Sequence, residues 1–213
     1  MAIFLTLFMI FFQAMIADAR EIRLIIRGDD FGMTQGSLPA FEKAFQRGVL
    51  TCASILVQAP WFEGAAEAAR NSPSWCLGVH LSLLGEWRGY RWRPVLPWDR
   101  VSSLVDEDGY LYTYPKELFR RKPRIEEIDA ELRTQVNLAQ KRGLSLHYLD
   151  THYMGMKDYP GLAEVIRKIS FDYRLPLSGG MGEKLLGGVY RVPVKEKKQK
   201  ALEMLKELKP GLW

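Results

Sequence analysis

Histidine and cysteine are scarce in this chain, with 3 and 2 among 213 residues. Two cysteines exclude a disulfide-built scaffold and a four-cysteine zinc site. Cys52 and Cys76 both stand near the starts of strand-like runs, so two readings stay open: a pair in an oxidising compartment, or two small buried thiols. Charge of one sign is not in large excess, since 30 Lys and Arg face 25 Asp and Glu for a net charge of +5. The one dense basic run, residues 195–200, opens a helix and reads as a solvated face. No basic, aromatic-interleaved module points to nucleic acid, and the glycines at 179–188 are not followed by the Lys-Ser/Thr of a phosphate-binding loop.

Long apolar runs are missing too, apart from residues 1–16, which fall short of the roughly 20 residues a membrane-spanning helix needs. Followed by Ala17-Asp18-Ala19 and then Arg20-Glu21, they read as a signal peptide over residues 1–19, removed on export. A secreted or periplasmic protein without stable membrane association is expected. No Lys or Arg precedes the apolar core, which leaves an uncleaved anchor as the alternative. The remaining residues 20–213 contain no linker and are enough for one domain.

Strand-like runs at 22–27, 51–57, 77–81 and 146–151, with a weaker one at 171–177, alternate with helix-period stretches. The helices are expected at 36–47, 61–71, 124–141, 158–168 and 195–208. The third is acidic at its start, basic at its end and stopped by Gly143, as the helix dipole favours. Such alternation implies an α/β fold with a parallel sheet, open or closed into a barrel.

Chemistry concentrates at the ends of these runs. Asp29 and Asp30 are adjacent carboxylates where the first strand breaks into a glycine-containing turn. Like charges side by side are unfavourable unless something absorbs charge between them, so the pair suggests one carboxylate on a metal ion and the other on a reacting water. Turn and helix-capping chemistry is the plainer reading. Two of the three histidines, His80 and His152, also end strand-like runs, and one carboxylate with two imidazoles suits a catalytic divalent ion. Asp150 is two residues before His152, on the same strand face, and is placed to orient a ligand or a water. His147 faces the other way and reads as a packed, non-ligand histidine. In α/β folds the carboxyl ends of parallel strands line one crevice, so these segments should converge. The aromatic stretch 86–98, with Tyr110, Tyr112 and Tyr114, either builds the small core of a long loop or offers flat faces to sugar rings.

The runs Arg27-Gly28-Asp29-Asp30-Phe31-Gly32-Met33, Leu77-Gly78-Val79-His80-Leu81-Ser82-Leu83 and Leu149-Asp150-Thr151-His152 resemble, in order, the motifs of the YdjC-like carbohydrate deacetylases. The resemblance implies a distorted (β/α) barrel with parallel strands and a divalent cation held by Asp30, His80 and His152. It implies Mg²⁺ first and Zn²⁺ as the alternative, with Asp29 as the base that activates water. The implied reaction is removal of N-acetyl groups from an amino sugar or chitooligosaccharide-like saccharide. Two departures stand out. Tyr153-Met154-Gly155-Met156 replaces the histidines that usually follow the third motif, and Gly211-Leu212-Trp213 reads as the start of a strand where the family continues through another strand and a His-Pro segment. These give the expectation of a C-terminally incomplete barrel, and the alternative of a carbohydrate-binding relative with impaired catalysis.

Overall fold

The computed structural model describes residues 21–85, 89–153, 159–189 and 191–213. The expected signal peptide and the run 154–156 lie outside them. The described residues fall in two compact units, 26–178, and 21–25 with 179–213.

The larger unit is built on four parallel strands, β2 (Arg27–Phe31), β3 (Cys52–Ile55), β4 (Cys76–Leu81) and β5 (Leu146–Thr151), lying side by side in chain order. Each strand pairs with the next in sequence, which is how a singly wound barrel is laid down; a doubly wound sheet would reverse direction at a switch point. Beyond β5 the sheet continues as a parallel bridge between Leu149 and Leu177. The α/β class with parallel strands is therefore as expected.

Between strands run α1 (Ser37–Gln46), α2 (Phe62–Arg70), a short α3 (Pro115–Arg120), α4 (Ile125–Lys141) and α5 (Leu162–Tyr173). Their buried positions recur at helical spacing: Phe62, Ala65, Ala66 and Ala69 on α2, and Ile128, Leu132, Val136 and Ala139 on α4. These stripes close over Ile55, Leu56, Val79, Leu81 and Leu149 of the sheet in one apolar core. Leu162, Ile166 and Ile169 of α5 join the same core.

Several boundaries move. The expected first strand, 22–27, breaks at Ile26, whose N–H donates to the Thr51 hydroxyl at 2.8 Å in place of a ladder carbonyl. Its continuation, β2, carries Asp29 and Asp30 inside the strand. The weak strand at 171–177 is instead the last turn of α5, ended by Arg174 in the left-handed region (φ 53°). Of that segment only the 176–177 backbone reaches the sheet, Leu149 donating to the Pro176 carbonyl at 2.8 Å. Cys52 and Cys76 are free thiols that face each other as register partners on β3 and β4.

The smaller unit holds β1 (Ile22–Arg23), α6 (Val194–Lys206) and β6 (Gly211–Leu212). The strand expected to begin at Gly211 has a partner within the chain, since β6 pairs in parallel with β1.

Candidate metal and catalytic site

Asp29 and Asp30 are consecutive in β2, and in a regular strand they would point to opposite faces. Two irregularities prevent that. The pairing of β2 with β3 shifts register between Gly28 and Phe31, and Asp30 takes φ 62°, a left-handed conformation that Asp tolerates better than most residues. Both carboxylates consequently come within reach of His80, which sits directly opposite Asp150 at the end of β4. His152 follows β5, with its N–H donating to the Leu81 carbonyl at 2.9 Å.

Asp30 Oδ1 lies 3.4 Å from His80 Nε2 and 3.5 Å from His152 Nε2. The two rings stand edge to face, 5.1 Å apart at an angle of 80°. Asp30 Oδ1 is buried, yet neither imidazole offers it a well-aligned hydrogen bond, so it is left without a regular partner among the described residues. Both histidines are almost wholly buried. On its other edge, His80 Nδ1 lies 2.7 Å from Asp150 Oδ2, an ion-pair contact whose angle falls short of a regular hydrogen bond; since a carboxylate only accepts, a proton shared there is carried by Nδ1. A buried, orphaned carboxylate oxygen facing two imidazole nitrogens is an acceptor set that a divalent cation satisfies, and the three ligand atoms all lie within 4.8 Å of one another. Asp30, His80 and His152 thus fit such an ion.

Electrostatics agree with a site that favours positive charge. Burial alone would depress the His80 pKa, but its close contacts with the Asp150 and Asp30 carboxylates and the charges of Asp150 and Asp29 push it up to about 9. Burial would raise both Asp30 and Asp150; the His80 and His152 imidazoles outweigh it at Asp30, and the His80 imidazole with the Arg27 guanidinium and the Thr151 N–H outweighs it at Asp150, so both carboxyls are held below their ordinary range. Without a cation, an imidazolium at His80 supplies the positive charge. With one bound there, His80 Nε2 must be free of its proton.

Asp29 forms a second group with His80 and Asp150, its ligand atoms also within 4.8 Å of one another, but a guanidinium occupies its carboxylate. Arg27, two residues earlier on the same strand face, grips it through Nε at 2.6 Å and through the Nη2 amino group at 3.2 Å. The remaining Arg27 nitrogen, Nη1, reaches Asp150 Oδ1 at 3.0 Å and the Ser178 hydroxyl at 2.7 Å. Beneath Asp150 the Tyr148 hydroxyl donates to Ser54 Oγ at 2.9 Å, and Ser54 donates to Asp150 Oδ2 at 3.3 Å. The Tyr148 ring occupies space opened by Gly78, where a Cβ would stand 2.4 Å from it.

The residues singled out from sequence, Asp29, Asp30, His80, Asp150 and His152, are thus brought together. Asp150 orients His80 rather than His152. His147 is exposed, not packed, and accepts the Leu77 N–H through Nδ1 at 3.3 Å. In the aromatic stretch, Trp92 is buried and Tyr110 lies beneath the Arg91 and Arg93 guanidiniums, so this part is mainly the loop's own core; Trp98 and Tyr114 are about half exposed. Residues 86–88 lie outside the described residues. Sequence reasoning missed Arg27, Ser54, Tyr148, Ser82 and Gln135. Strand alternation could have found Arg27, two residues from Asp29, and Tyr148, two from Asp150; no local signal marks the others.

Carbohydrate deacetylases of Enterococcus faecalis, Thermus thermophilus and Vibrio cholerae are 34%, 36% and 31% identical over 156, 152 and 171 residues. Those matches cover 73%, 71% and 79% of this chain but only 57%, 51% and 64% of the relatives, so the chain spans roughly three fifths of their length. A crystal structure of an Enterococcus faecalis protein named for cellobiose-phosphate cleavage superimposes with a TM-score of 0.66 at 30% identity, covering 89% of this chain and 66% of that one. The family model described as YdjC-like protein matches residues 23–211, from the first described strand to the last, and the chain belongs to that family.

Proposed function

We propose that this chain carries the catalytic site of a metal-dependent carbohydrate deacetylase, which hydrolyses the N-acetyl group of an amino sugar to acetate and a free amine. The observation that carries the reading is the bulge in β2, which turns two successive carboxylates to one rim: Asp30 toward two imidazoles, Asp29 beside them yet tied to Arg27. The names of the relatives support the substrate class. Asp30, His80 and His152 would hold the cation, and two nitrogens with one oxygen suit a borderline ion such as Zn²⁺ better than Mg²⁺, which prefers an all-oxygen shell. When bound, such an ion acts as a Lewis acid on the acetyl carbonyl and lowers the pKa of a water.

The chain's own residues do the rest. Asp29, a carboxylate outside the ligand set, takes the proton of the attacking water, and Arg27 keeps its oxygens aimed by a two-point grip. Asp150 fixes His80 so that Nε2, not Nδ1, faces Asp30. Trp98 and Tyr114, exposed on the segment that follows β4, are the aromatic faces on which a saccharide ring would stack. The test is acetate release from N-acetylated chitooligosaccharides by the metal-reconstituted chain. Tight binding of Zn²⁺ and of the saccharide without acetate release would favour the carbohydrate-binding relative instead.

A further inference from the structure

Three fully buried polar side chains outside the ligand set, Ser82, Glu131 and Gln135, form one connected network. Glu131, on α4, accepts the N–H groups of Val95 and Leu96 at 2.9 and 3.0 Å and a hydrogen bond from Gln135 Nε2 at 2.9 Å. None of its described partners is a cation, so three neutral donors hold a buried carboxylate. Burial of this kind is costly unless every acceptor is used, and an apolar side chain would fill the space at less expense. One turn later, Gln135 clasps the backbone of Ser82 from both sides, its Oε1 accepting the Ser82 N–H at 3.0 Å and its Nε2 donating to the Ser82 carbonyl at 2.7 Å.

Ser82 carries the network to the site. Its hydroxyl donates to the Leu84 carbonyl at 3.1 Å and accepts the Leu84 N–H at 3.1 Å. The same Oγ lies 3.2 Å from His152 Nδ1, and in the tautomer that leaves the hydroxyl proton on the Leu84 carbonyl it is Nδ1–H that donates to Ser82. The contact sets the Nδ1 edge of His152 on Ser82 and leaves its Nε2 edge toward Asp30, 3.5 Å away.

We propose that Glu131, Gln135 and Ser82 are a positioning relay that fixes the ring of His152, and that they make its orientation depend on the backbone at residues 95–96 being in place. The relay connects the long segment after β4, which carries Trp98 and Tyr114, to one of the two imidazoles. That the ring so held is a cation ligand rests on the function proposed above; that the ring is held does not.

The test uses the whole chain, metal-free and then titrated with Zn²⁺ alone, with ¹⁵N-labelled histidine. In the parent, the Hδ1 proton of His152, assigned by its disappearance in His152→Asn, is expected to be protected from exchange. Ser82→Ala and Gln135→Met should abolish that protection while leaving the Hδ1 signal of His80, which Asp150 holds, in place. A loss confined to one ring is not what general destabilisation gives. Glu131→Gln, which sets two amide donors against each other, should weaken His152 in the same way; if that variant does not fold, Gln135→Met, close in volume, carries the test. Zn²⁺ affinity should fall about 10- to 100-fold in Ser82→Ala, the usual scale for groups that orient a ligand. An unprotected His152 Hδ1 in the parent, or a protected one in both Ser82→Ala and Gln135→Met, overturns the relay. If the variants change the His152 signal but the parent binds no Zn²⁺, the relay stands and the proposed function falls.

Discussion

Asp30 and Asp29 differ in what faces them, and the proposed function gives them separate tasks. Asp30 meets two imidazoles, whereas Asp29 meets a guanidinium. Asp29→Asn should keep the cation but lower kcat by about 10²- to 10⁴-fold, the range of a general base; metal content and acetate release on one preparation check both halves. Asp30→Ala should instead lose the cation. His80 adds a pH dependence. Its pKa is raised from 6.5 to about 9, so the stability it contributes to the metal-free protein is fully present below 6.5 and disappears as pH rises through 9, on the order of 3 kcal/mol at most. Asp30 and Asp150, both lowered, contribute above their ordinary value of 3.8 and lose that contribution as pH falls below it. Thermal unfolding of the metal-free protein should therefore show highest stability between about pH 4 and 6.5. Zn²⁺ affinity should run the other way across pH 6.5 to 9, because the cation must displace the His80 proton. These side chains were legible in the sequence as rare residues at strand ends. The partner of each was not, because Asp150 with His80 is a cross-strand neighbour and Ser82 with His152 is a loop contact 70 residues apart in sequence.

Strand β4 is shaped by what it lacks at position 78. Gly78 leaves room for the Tyr148 ring, and Tyr148 in turn supports Ser54 and Asp150 beneath His80. Gly78→Ala should cost about 1–3 kcal/mol by overpacking, seen as a lower denaturation midpoint, and should also weaken Zn²⁺ binding through a displaced Asp150. Tyr148→Phe, which removes only the hydroxyl, should leave the fold intact and give the smaller loss of the two. The bounds of β4 and β5 are legible from their apolar runs even though their ladder shifts register between Leu77 and Gly78. The bounds of β2 are not legible in the sequence, because a Thr51 hydroxyl takes the Ile26 N–H before it and a bulge crosses its carboxyl end. Side chains standing in for ladder groups leave no periodic trace in a sequence.

Across the larger unit, strands in chain order deliver their carboxyl ends to one rim, and the site joins β2, β4 and the residue after β5. Parallel alternation was legible from the pattern of runs, and so was the convergence it implies. The 171–177 segment was not, because an apolar run that ends a helix and one that makes a strand look alike over seven residues. A cation that binds only the folded unit should stabilise it by about 2.7 kcal/mol at a hundredfold excess over Kd, and so raise Tm by roughly 5–10 °C. That rise should vanish in His152→Ala. The central claim, that one cation on Asp30, His80 and His152 serves hydrolysis with Asp29 as base, is tested most directly by measuring acetate released from N-acetylated chitooligosaccharides by the Zn²⁺-loaded chain and its Asp29→Asn variant. The account predicts release by the parent and a loss of at least about a hundredfold in a variant that still holds one equivalent of zinc. Equal rates from the two proteins would contradict it.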